Sequence, residues 1–208
     1  MKLIFDIGCN VGRWIAANLK EGYFIVGVDA NPESCAIATR QFKNNSNVVI
    51  VNRLIHYQDN VFVNFYRAST DWASTSSESF KNNGRFASVM KWEKPIRIPT
   101  ITIDSLIREF GEPSYIKIDV EGSELSALQG LTHKSGMIAF EWNEEEKVDT
   151  MKAIVYCWKL GYSNFALLEG DEYTYIPSAW IDYESFYELV DNTLDAQCMF
   201  KWGMIYCE

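Results

Sequence analysis

Short apolar runs alternate with stretches of helical spacing along most of the chain. The runs are rich in Val, Ile and Phe, as buried strands are, and the stretches between them repeat apolar residues every three or four positions. This alternation predicts an α/β fold with a doubly wound, mostly parallel sheet and helices on both faces. The predicted strands are residues 3–7, 23–28, 48–51, 115–118, 137–141, 162–168, 173–176 and 202–207. The predicted helices are residues 13–20, 32–42, 102–110, 124–129, 144–160 and 181–190.

The regular alternation breaks in the middle of the chain. Residues 61–66 are β-rich and predict an extra strand, and residues 96–99 are predicted to be extended. Between them, residues 67–94 are rich in Ser, Thr and Asn, and a loop of this length in a compact domain usually serves as a functional lid or is disordered. We therefore predict a single domain over residues 1–208, with an inserted lid-like segment at about residues 67–95.

A glycine loop follows the first predicted strand. Asp6 ends the strand, and Gly8, Asn10 and Gly12 follow before the first helix, so the loop lacks the G-x-G-x-x-G pattern that cradles a diphosphate. An acid in place of the first glycine suits a ligand with a positive group, and S-adenosylmethionine carries an ammonium and a sulfonium. Asp29 ends the second strand, where an acid commonly holds ribose hydroxyls. Asp6 and Asp29 could instead cap the helices that follow them, although Asn31 already suits that role after Asp29.

Carboxylates also follow the strands at 115–118 and 137–141. Ligands bind beyond the carboxyl ends of strands in an open parallel sheet, so Asp119 and Glu121 are expected at a site near the glycine loop. A carboxylate there could orient a cofactor amine, accept a proton from a substrate hydroxyl or bind a metal. Glu121 could instead cap the following helix. Glu141, Trp142 and Asn143 are predicted on the same rim, as contacts to a substrate.

A histidine and three tryptophans are further candidates for the site. His56 follows the third strand and is a second candidate base after the carboxylates, although a lone His in a loop is more often a surface residue. Trp72, Trp92 and Trp142 could stack on the apolar face of a sugar ring, and each is also a natural core residue.

Composition and charge narrow the classes of partner. The net charge of -9 argues against nucleic acid, because phosphate binding needs clustered Lys and Arg. Five widely spaced cysteines without a C-x-x-C pair argue for reduced thiols in a cytoplasmic protein, and against a disulfide framework or a zinc site. No signal peptide or membrane span is visible, so we predict no membrane partner. No metal ligand set stands out and none is assigned, but clustered carboxylates could hold magnesium, so metal dependence stays open. A homodimer stays open.

Three motifs together resemble the FkbM-type methyltransferases, a family of class I, S-adenosylmethionine-dependent enzymes. The motifs are D-I-G-C-N-V-G at residues 6–12, V-D-A-N-P at residues 28–32 and I-K-I-D-V-E-G-S-E at residues 116–124. The third motif is the most specific to the family. The resemblance also covers residues 98–104, the 140–141 strand end and residues 202–206, and therefore spans nearly the whole chain.

The resemblance implies a Rossmann-like, seven-stranded sheet with a reversed last strand. It implies S-adenosylmethionine as cofactor, with Asp6, Gly8 and Asn10 at its methionine part and Asp29 at its ribose. The remaining residues of the expected cofactor site are Gly12, Ala30, Arg53, Leu54 and Asp119, with Arg53 and Leu54 near the adenine.

The activity that the resemblance implies is O-methylation of a sugar or glycan, with the 2-hydroxyl among the candidate positions. Asp119, Glu121 and then His56 are the candidate bases. The acceptor could instead be a polyketide or other small alcohol, or a protein. A nicotinamide-dependent oxidoreductase on a similar sheet and a non-catalytic binding module are the other open alternatives.

Overall fold

The computed structural model describes residues 1–68, 74–170, 172–174, 177–195 and 201–208. The predicted substrate contact Trp72 lies outside them. The predicted strand at 173–176 is only partly described, and its described residues Tyr173 and Thr174 form a turn.

Twelve described strands and seven helices make up the fold. The strands are β1 (Lys2–Ile7), β2 (Tyr23–Asp29), β3 (Val48–Asn52), β4 (Leu54–Ile55), β5 (Phe62–Arg67), β6 (Ser74–Thr75), β7 (Ile96–Ile101), β8 (Tyr115–Ile118), β9 (Met137–Asn143), β10 (Asn164–Glu169), β11 (Ile181–Asp182) and β12 (Trp202–Cys207). The helices are α1 (Arg13–Asn18), α2 (Pro32–Phe42), α3 (Glu78–Asn83), α4 (Ile103–Phe110), α5 (Glu124–Leu128), α6 (Lys147–Lys159) and α7 (Tyr183–Asp195), and a 3₁₀ turn at Glu144–Glu146 precedes α6.

The central sheet confirms the predicted architecture. Its strand order is β11-β10-β12-β9-β8-β1-β2-β3, and the five strands from β9 to β3 pair in parallel. β12 lies antiparallel between β9 and β10, as the predicted reversed last strand. The two-residue β11 adds an eighth strand at the edge. The strand order reverses between β1 and β8, and this is the point where ligands bind in such sheets.

A second, smaller sheet occupies the region where the sequence pattern was irregular. It has the order β4-β7-β5-β6, and β5 pairs antiparallel with both β6 and β7. The extra strand at 61–66 and the extended 96–99 segment were predicted, but their pairing with each other was not. The segment predicted as an insertion at about residues 67–95 begins at the end of β5 and ends just before β7, and its described part contains β6 and α3.

Local signals set the helix boundaries that the sequence predicted. The side chain of Asn31 accepts the N–H of Glu33 at 3.1 Å and Pro32 follows it, so α2 begins there. Thr102 caps α4 in the same way, and α4 ends at Gly111. The predicted helix over 181–190 is displaced, because residues 181–182 pair as β11 and α7 begins at Tyr183.

The alternation of β8 and β9 places main-core residues on one face of the sheet, and Lys117 and Glu141 on the other beside a smaller apolar cluster. Ile116, Ile118 and Phe140 are fully buried in the main core, while the neighbouring positions Lys117 and Glu141 belong to the opposite face. The described cysteines are buried and free, as predicted for reduced thiols, and they are Cys9, Cys35, Cys157 and Cys207. None of the described helices has the length and apolar character needed to cross a membrane.

Candidate active site

The glycine loop after β1 lies directly against the end of β8. Gly8 has φ +81°, and a Cβ at this position would lie 1.7 Å from the carbonyl oxygen of Asp119, so only glycine fits. The N–H of Asp119 donates to the carbonyl of Ile7 at 2.9 Å. The predicted convergence of the first and fourth parallel strands is therefore confirmed, and it brings Asp119 to the glycine loop.

Asp29 ties the glycine loop to the end of β2. Its Oδ2 accepts the N–H of Asn10 at 2.8 Å, and its Oδ1 accepts the N–H of Asn31 at 2.7 Å. Asn10 is held at φ 48°, in the left-handed region that Asn tolerates better than most residues. Burial raises the pKa of Asp29 to about 6, although the two N–H donors lower it.

A cleft opens between the carboxyl ends of β1, β2 and β8, and we refer to it as the rim cleft. Most of the residues predicted to bind the cofactor line it: Gly8, Asn10, Asp29, Ala30, Arg53, Leu54 and Asp119. Glu121 lines it as well. Strand-end positions predicted Asp29 and Asp119 at this cleft, and the family resemblance implied others, with Arg53 and Leu54 among them.

Two residues of the predicted cofactor site do not reach the rim cleft. Asp6 has no exposed surface and stands opposite Lys117 in the β1–β8 pairing, which places it beneath the cleft. Gly12 precedes α1 at φ +87°, and a Cβ there would lie 2.6 Å from the ring of Phe42. Both residues therefore support the loop from behind, and the predicted direct contact of Asp6 with a ligand is corrected.

Three carboxylates converge at the ends of β8 and β9. Asp119, Glu121 and Glu141 each place a carboxylate oxygen within 4.8 Å of the others. Burial raises the pKa of Glu121 well above its usual range, and Asp119 raises it further. Burial also raises the pKa of Glu141, to which the charges of Glu121 and Asp119 add. We refer to these three residues as the carboxylate cluster.

Glu124, the first residue of α5, holds the turn that leads into the helix. Its Oε1 accepts the N–H of Val120 at 2.9 Å, and its Oε2 accepts the N–H of Gly122 at 3.0 Å. Burial raises the pKa of Glu124 to about 7 despite these donors. The N-cap position of α5 is Ser123, so the interpretation of Glu121 as the helix cap is wrong, and its side chain stays in the cluster.

The residues predicted after Glu141 lie in the interior. Trp142 is 1% exposed and its indole N–H donates to the carbonyl of Leu168 at 3.3 Å, so stacking on a substrate is not open to it. Asn143 is also buried, and its side-chain oxygen accepts the N–H of Glu146 at 3.0 Å. Both predictions are corrected because β9 runs on to Asn143, where it pairs with Trp202 of β12.

His56 stands apart from the carboxylates. It does not line the rim cleft, its Nδ1 accepts the N–H of Gln58 at 3.2 Å, and its ring lies 4.1 Å from that of Tyr57. Burial lowers the pKa of His56 below its ordinary value. The structure therefore does not bring this candidate base to the other site residues.

Lys117 is a site residue that the sequence argument missed. Its side chain is 5% exposed, and its Nζ donates to Oδ2 of Asp119 at 2.8 Å. Strand alternation places residues 117 and 119 on the same face, and this spacing was the available signal. The ion pair fixes the direction of the Asp119 carboxylate, whose side chain keeps 27% of its surface exposed at the cleft.

The inserted segment lies against the carboxylate cluster. The hydroxyl of Thr75 donates to the carbonyl of Glu121 at 2.6 Å, and the hydroxyls of Ser76 and Ser123 lie 2.7 Å apart. Arg85 lies 3.9 Å from Oε1 of Glu141 and 3.2 Å from Oε1 of Glu145. The described part of this segment therefore supplies backbone support and a guanidinium to the site.

Comparison with known sequences matches most of the chain to one protein family. The family model described as the methyltransferase FkbM domain matches residues 6–163, which includes the glycine loop, the rim cleft and the carboxylate cluster. No curated protein sequence matches the chain.

Several solved structures share a similar arrangement over the whole chain. A precorrin-6y methyltransferase from Geobacter metallireducens is 11% identical, with a TM-score of 0.46 and coverage of 100% of this chain and 78% of the other. A geranyl diphosphate methyltransferase in complex with S-adenosylmethionine is 8% identical, with a TM-score of 0.48 and coverage of 100% and 77%. Aeropyrum pernix fibrillarin with bound S-adenosylmethionine is 10% identical, with a TM-score of 0.49 and coverage of 100% and 66%. The sequence match, and not these structures, carries the assignment.

Proposed function

Because the chain belongs to the FkbM methyltransferase family and its cofactor is S-adenosylmethionine, we propose that it methylates a hydroxyl oxygen of a sugar or glycan. The observation that carries the proposal is the position of the carboxylate cluster, which borders the rim cleft on the side of β8 and β9. Family membership speaks against nicotinamide chemistry. Family membership does not fix which atom is methylated or which class of acceptor is used. These two points are what we propose.

The residues of the rim cleft fit S-adenosylmethionine. The glycine loop lets a ligand approach the backbone of Gly8, and the neighbouring side chains of Asp29 and Asp119 offer carboxylates, which suit hydroxyl and cationic groups better than a diphosphate. Arg53 and Leu54 would border the adenine, and Asp29 the ribose. When bound, S-adenosylmethionine supplies an electrophilic methyl group on a sulfonium centre.

Asp119 is the proposed proton acceptor for the acceptor hydroxyl. Its carboxylate is partly exposed at the cleft, and the 2.8 Å bond from Lys117 fixes one of its oxygens. A base that is held in place can take the proton without first reorganising. Most of the remaining rate acceleration would come from alignment of the acceptor hydroxyl with the methyl group. Glu121 and Glu141 would then contact the acceptor from the neighbouring positions.

Polar side chains around the cluster favour a sugar over an apolar alcohol. Ser74, Ser76 and Ser123 line the rim cleft beside Glu121 and Asp119. Hydroxyl and carboxylate groups of this kind form hydrogen bonds with the several hydroxyls of a sugar, which an apolar polyketide alcohol would leave unpaired. A polyketide or other small alcohol is the second candidate acceptor, because Phe65 and Trp14 also line the cleft.

Transfer of labelled methyl groups tests this proposal. The protein is incubated with S-adenosylmethionine carrying a labelled methyl group and with a panel of nucleotide sugars, free glycosides and polyketide alcohols. We expect a labelled sugar ether, and we expect Asp119→Asn to lower turnover roughly 10²-fold or more, because a positioned base contributes on that order. The matched control is Glu109→Gln, which changes an exposed carboxylate on α4.

Calorimetric titration with S-adenosylmethionine separates binding from catalysis in these variants. Asp119→Asn should keep a folded structure by circular dichroism and should lose turnover by a larger factor than it loses affinity for S-adenosylmethionine, since Asp119 also lines the cofactor cleft. Near-normal turnover of Asp119→Asn would remove Asp119 from the mechanism. Labelling of polyketide alcohols alone would replace the proposed acceptor with the second candidate, and labelling of a nitrogen or carbon atom would contradict O-methylation.

A further inference from the structure

The carboxylate cluster has the composition of a cation site. Asp119 and Glu121 come from the end of β8 and Glu141 from the neighbouring β9, and one oxygen of each lies within 4.8 Å of the other two. Because β8 and β9 pair in parallel, their carboxyl ends emerge at the same edge of the sheet. The three side chains therefore converge from a rigid part of the fold.

Two cationic side chains lie near the cluster, and their close contacts are with Asp119 and Glu145. Lys117 donates to Oδ2 of Asp119 at 2.8 Å. Arg85 donates both its backbone N–H and its Nε to Oε1 of Glu145, at 2.8 and 3.2 Å. Its Nη2 lies 3.9 Å from Oε1 of Glu141, which is beyond hydrogen-bond distance. The Oε2 atoms of Glu121 and Glu141 therefore accept no hydrogen bond from Lys117 or Arg85.

Two buried oxygens of the cluster have no hydrogen-bond partner among the described residues. Glu141 is 6% exposed, and its Oε2 is buried without a donor. Oε2 of Glu121 is buried without a donor as well. A buried carboxylate oxygen lowers the stability of the folded chain unless a hydrogen-bond donor or a metal ion contacts it. These oxygens are the observation, beyond mere clustering of acids, that points to a missing ligand.

We propose that Asp119, Glu121 and Glu141 bind one divalent cation of the magnesium or manganese class. The donor set consists of carboxylate oxygens alone, and hard cations select such oxygens, whereas zinc and copper prefer nitrogen and sulfur. Three protein ligands leave coordination positions for water or for a hydroxyl of the acceptor. The sequence left metal dependence open, because Glu141 is distant along the chain from the other two residues and no ligand set stood out.

The cation would act on the acceptor, and this part of the inference rests on the proposed function. A hydroxyl coordinated to a divalent cation loses its proton more readily, because the metal stabilises the negative oxygen that remains. The proton passes to Asp119 or to solvent, and the oxygen stays at the edge of the rim cleft. The cation would also favour an acceptor with two neighbouring hydroxyls, which can occupy two coordination positions.

Titration with Mn²⁺ tests the site without any acceptor. The full chain is freed of metal with a chelator and is then titrated with MnCl₂, with calorimetry and electron paramagnetic resonance as readouts. We expect one Mn²⁺ per chain, and we expect Glu141→Gln and Glu121→Gln each to weaken binding by about 10-fold or more, since each removes a charged ligand. Glu109→Gln on α4 is the matched control and should bind Mn²⁺ like the unaltered chain.

A substitution at Arg85 tests whether its guanidinium and a metal ion act on the same carboxylates. If Arg85 and a metal ion act on the same carboxylates, Arg85→Met should tighten Mn²⁺ binding, because it removes a positive charge 3.9 Å from Glu141. Absence of Mn²⁺ binding by the unaltered chain, or binding by Glu141→Gln and Glu121→Gln that is as tight as in the unaltered chain, would overturn the site. Cofactor binding and methyl transfer are measured separately. Binding of Mn²⁺ without methyl transfer would therefore count against the proposed function and not against the metal site.

Discussion

The buried carboxylate of Asp29 shows how one residue serves both the fold and the site. It accepts two backbone N–H groups, which hold the glycine loop against the end of β2, and it also lines the rim cleft. The loop therefore depends on an acid whose burial is unfavourable when it is charged. The expected contact with a ribose would add further donors to the same oxygens.

This burial predicts a dependence of stability on pH. The pKa of Asp29 is raised to about 6 in the folded chain, whereas an unfolded Asp titrates near pH 4. The folded chain therefore holds the extra proton between these values, so the contribution of Asp29 to stability is complete below about pH 4 and is lost as the pH rises through about 6. Urea unfolding of the unaltered chain and of Asp29→Asn, from pH 4 to pH 7.5, measures the contribution of Asp29 to the free energy of unfolding.

We expect the stability of the unaltered chain to fall, relative to Asp29→Asn, by up to about 3 kcal/mol across this range and to level off above about pH 7. The variant carries no titrating group at this position, so the difference between the two curves isolates Asp29. A difference that stays constant from pH 4 to pH 7.5 would contradict a raised pKa.

At the scale of elements, the turn between β8 and α5 is the feature that arranges the carboxylate cluster. Glu121 adopts φ 54°, an uncommon conformation for a residue with a side chain. Glu124 holds the neighbouring N–H groups, and the Thr75 hydroxyl holds the carbonyl of Glu121. An element of the inserted segment therefore helps to fix the turn that ends β8.

Removal of the Thr75 hydroxyl tests this support. Thr75 is fully buried, and its Oγ1 donates to Glu121 and accepts the N–H of Ser77 at 2.8 Å. Thr75→Val keeps the shape and leaves two polar groups without that partner, so we expect the free energy of unfolding to drop by about 1–3 kcal/mol. Thr193→Val removes an exposed hydroxyl from α7 and should change stability by less than about 0.5 kcal/mol. Equal effects of the two substitutions would contradict the support.

The sequence predicted elements well where the pattern was periodic. The strands of the central sheet and the caps of α2 and α4 were visible because apolar runs and capping residues are local signals. The length of β9 was not visible, since its last two residues pair with β12, about 60 positions away along the chain. This error placed Trp142 and Asn143 at the rim instead of in the core.

At the scale of the whole molecule, the site follows from strand order. The sheet reverses between β1 and β8, and this reversal joins the glycine loop, Asp29 and Asp119 around one cleft. The rule for parallel sheets made this convergence predictable from sequence. It could not predict Lys117 or Arg85, whose roles depend on side-chain directions and on the path of the inserted segment.

Methyl transfer requires that the rim cleft bind S-adenosylmethionine. We expect the glycine loop and the ends of β2 and β8 to hold this ligand, which carries cationic groups, and not a dinucleotide. Calorimetric titration of the unaltered chain with S-adenosylmethionine and with NAD⁺, repeated with Asp29→Asn and with the control Glu109→Gln, measures this preference. We predict one S-adenosylmethionine per chain, weaker binding in Asp29→Asn, normal binding in Glu109→Gln and no NAD⁺ binding. Tight binding of NAD⁺ without binding of S-adenosylmethionine would show that the rim cleft is a dinucleotide site.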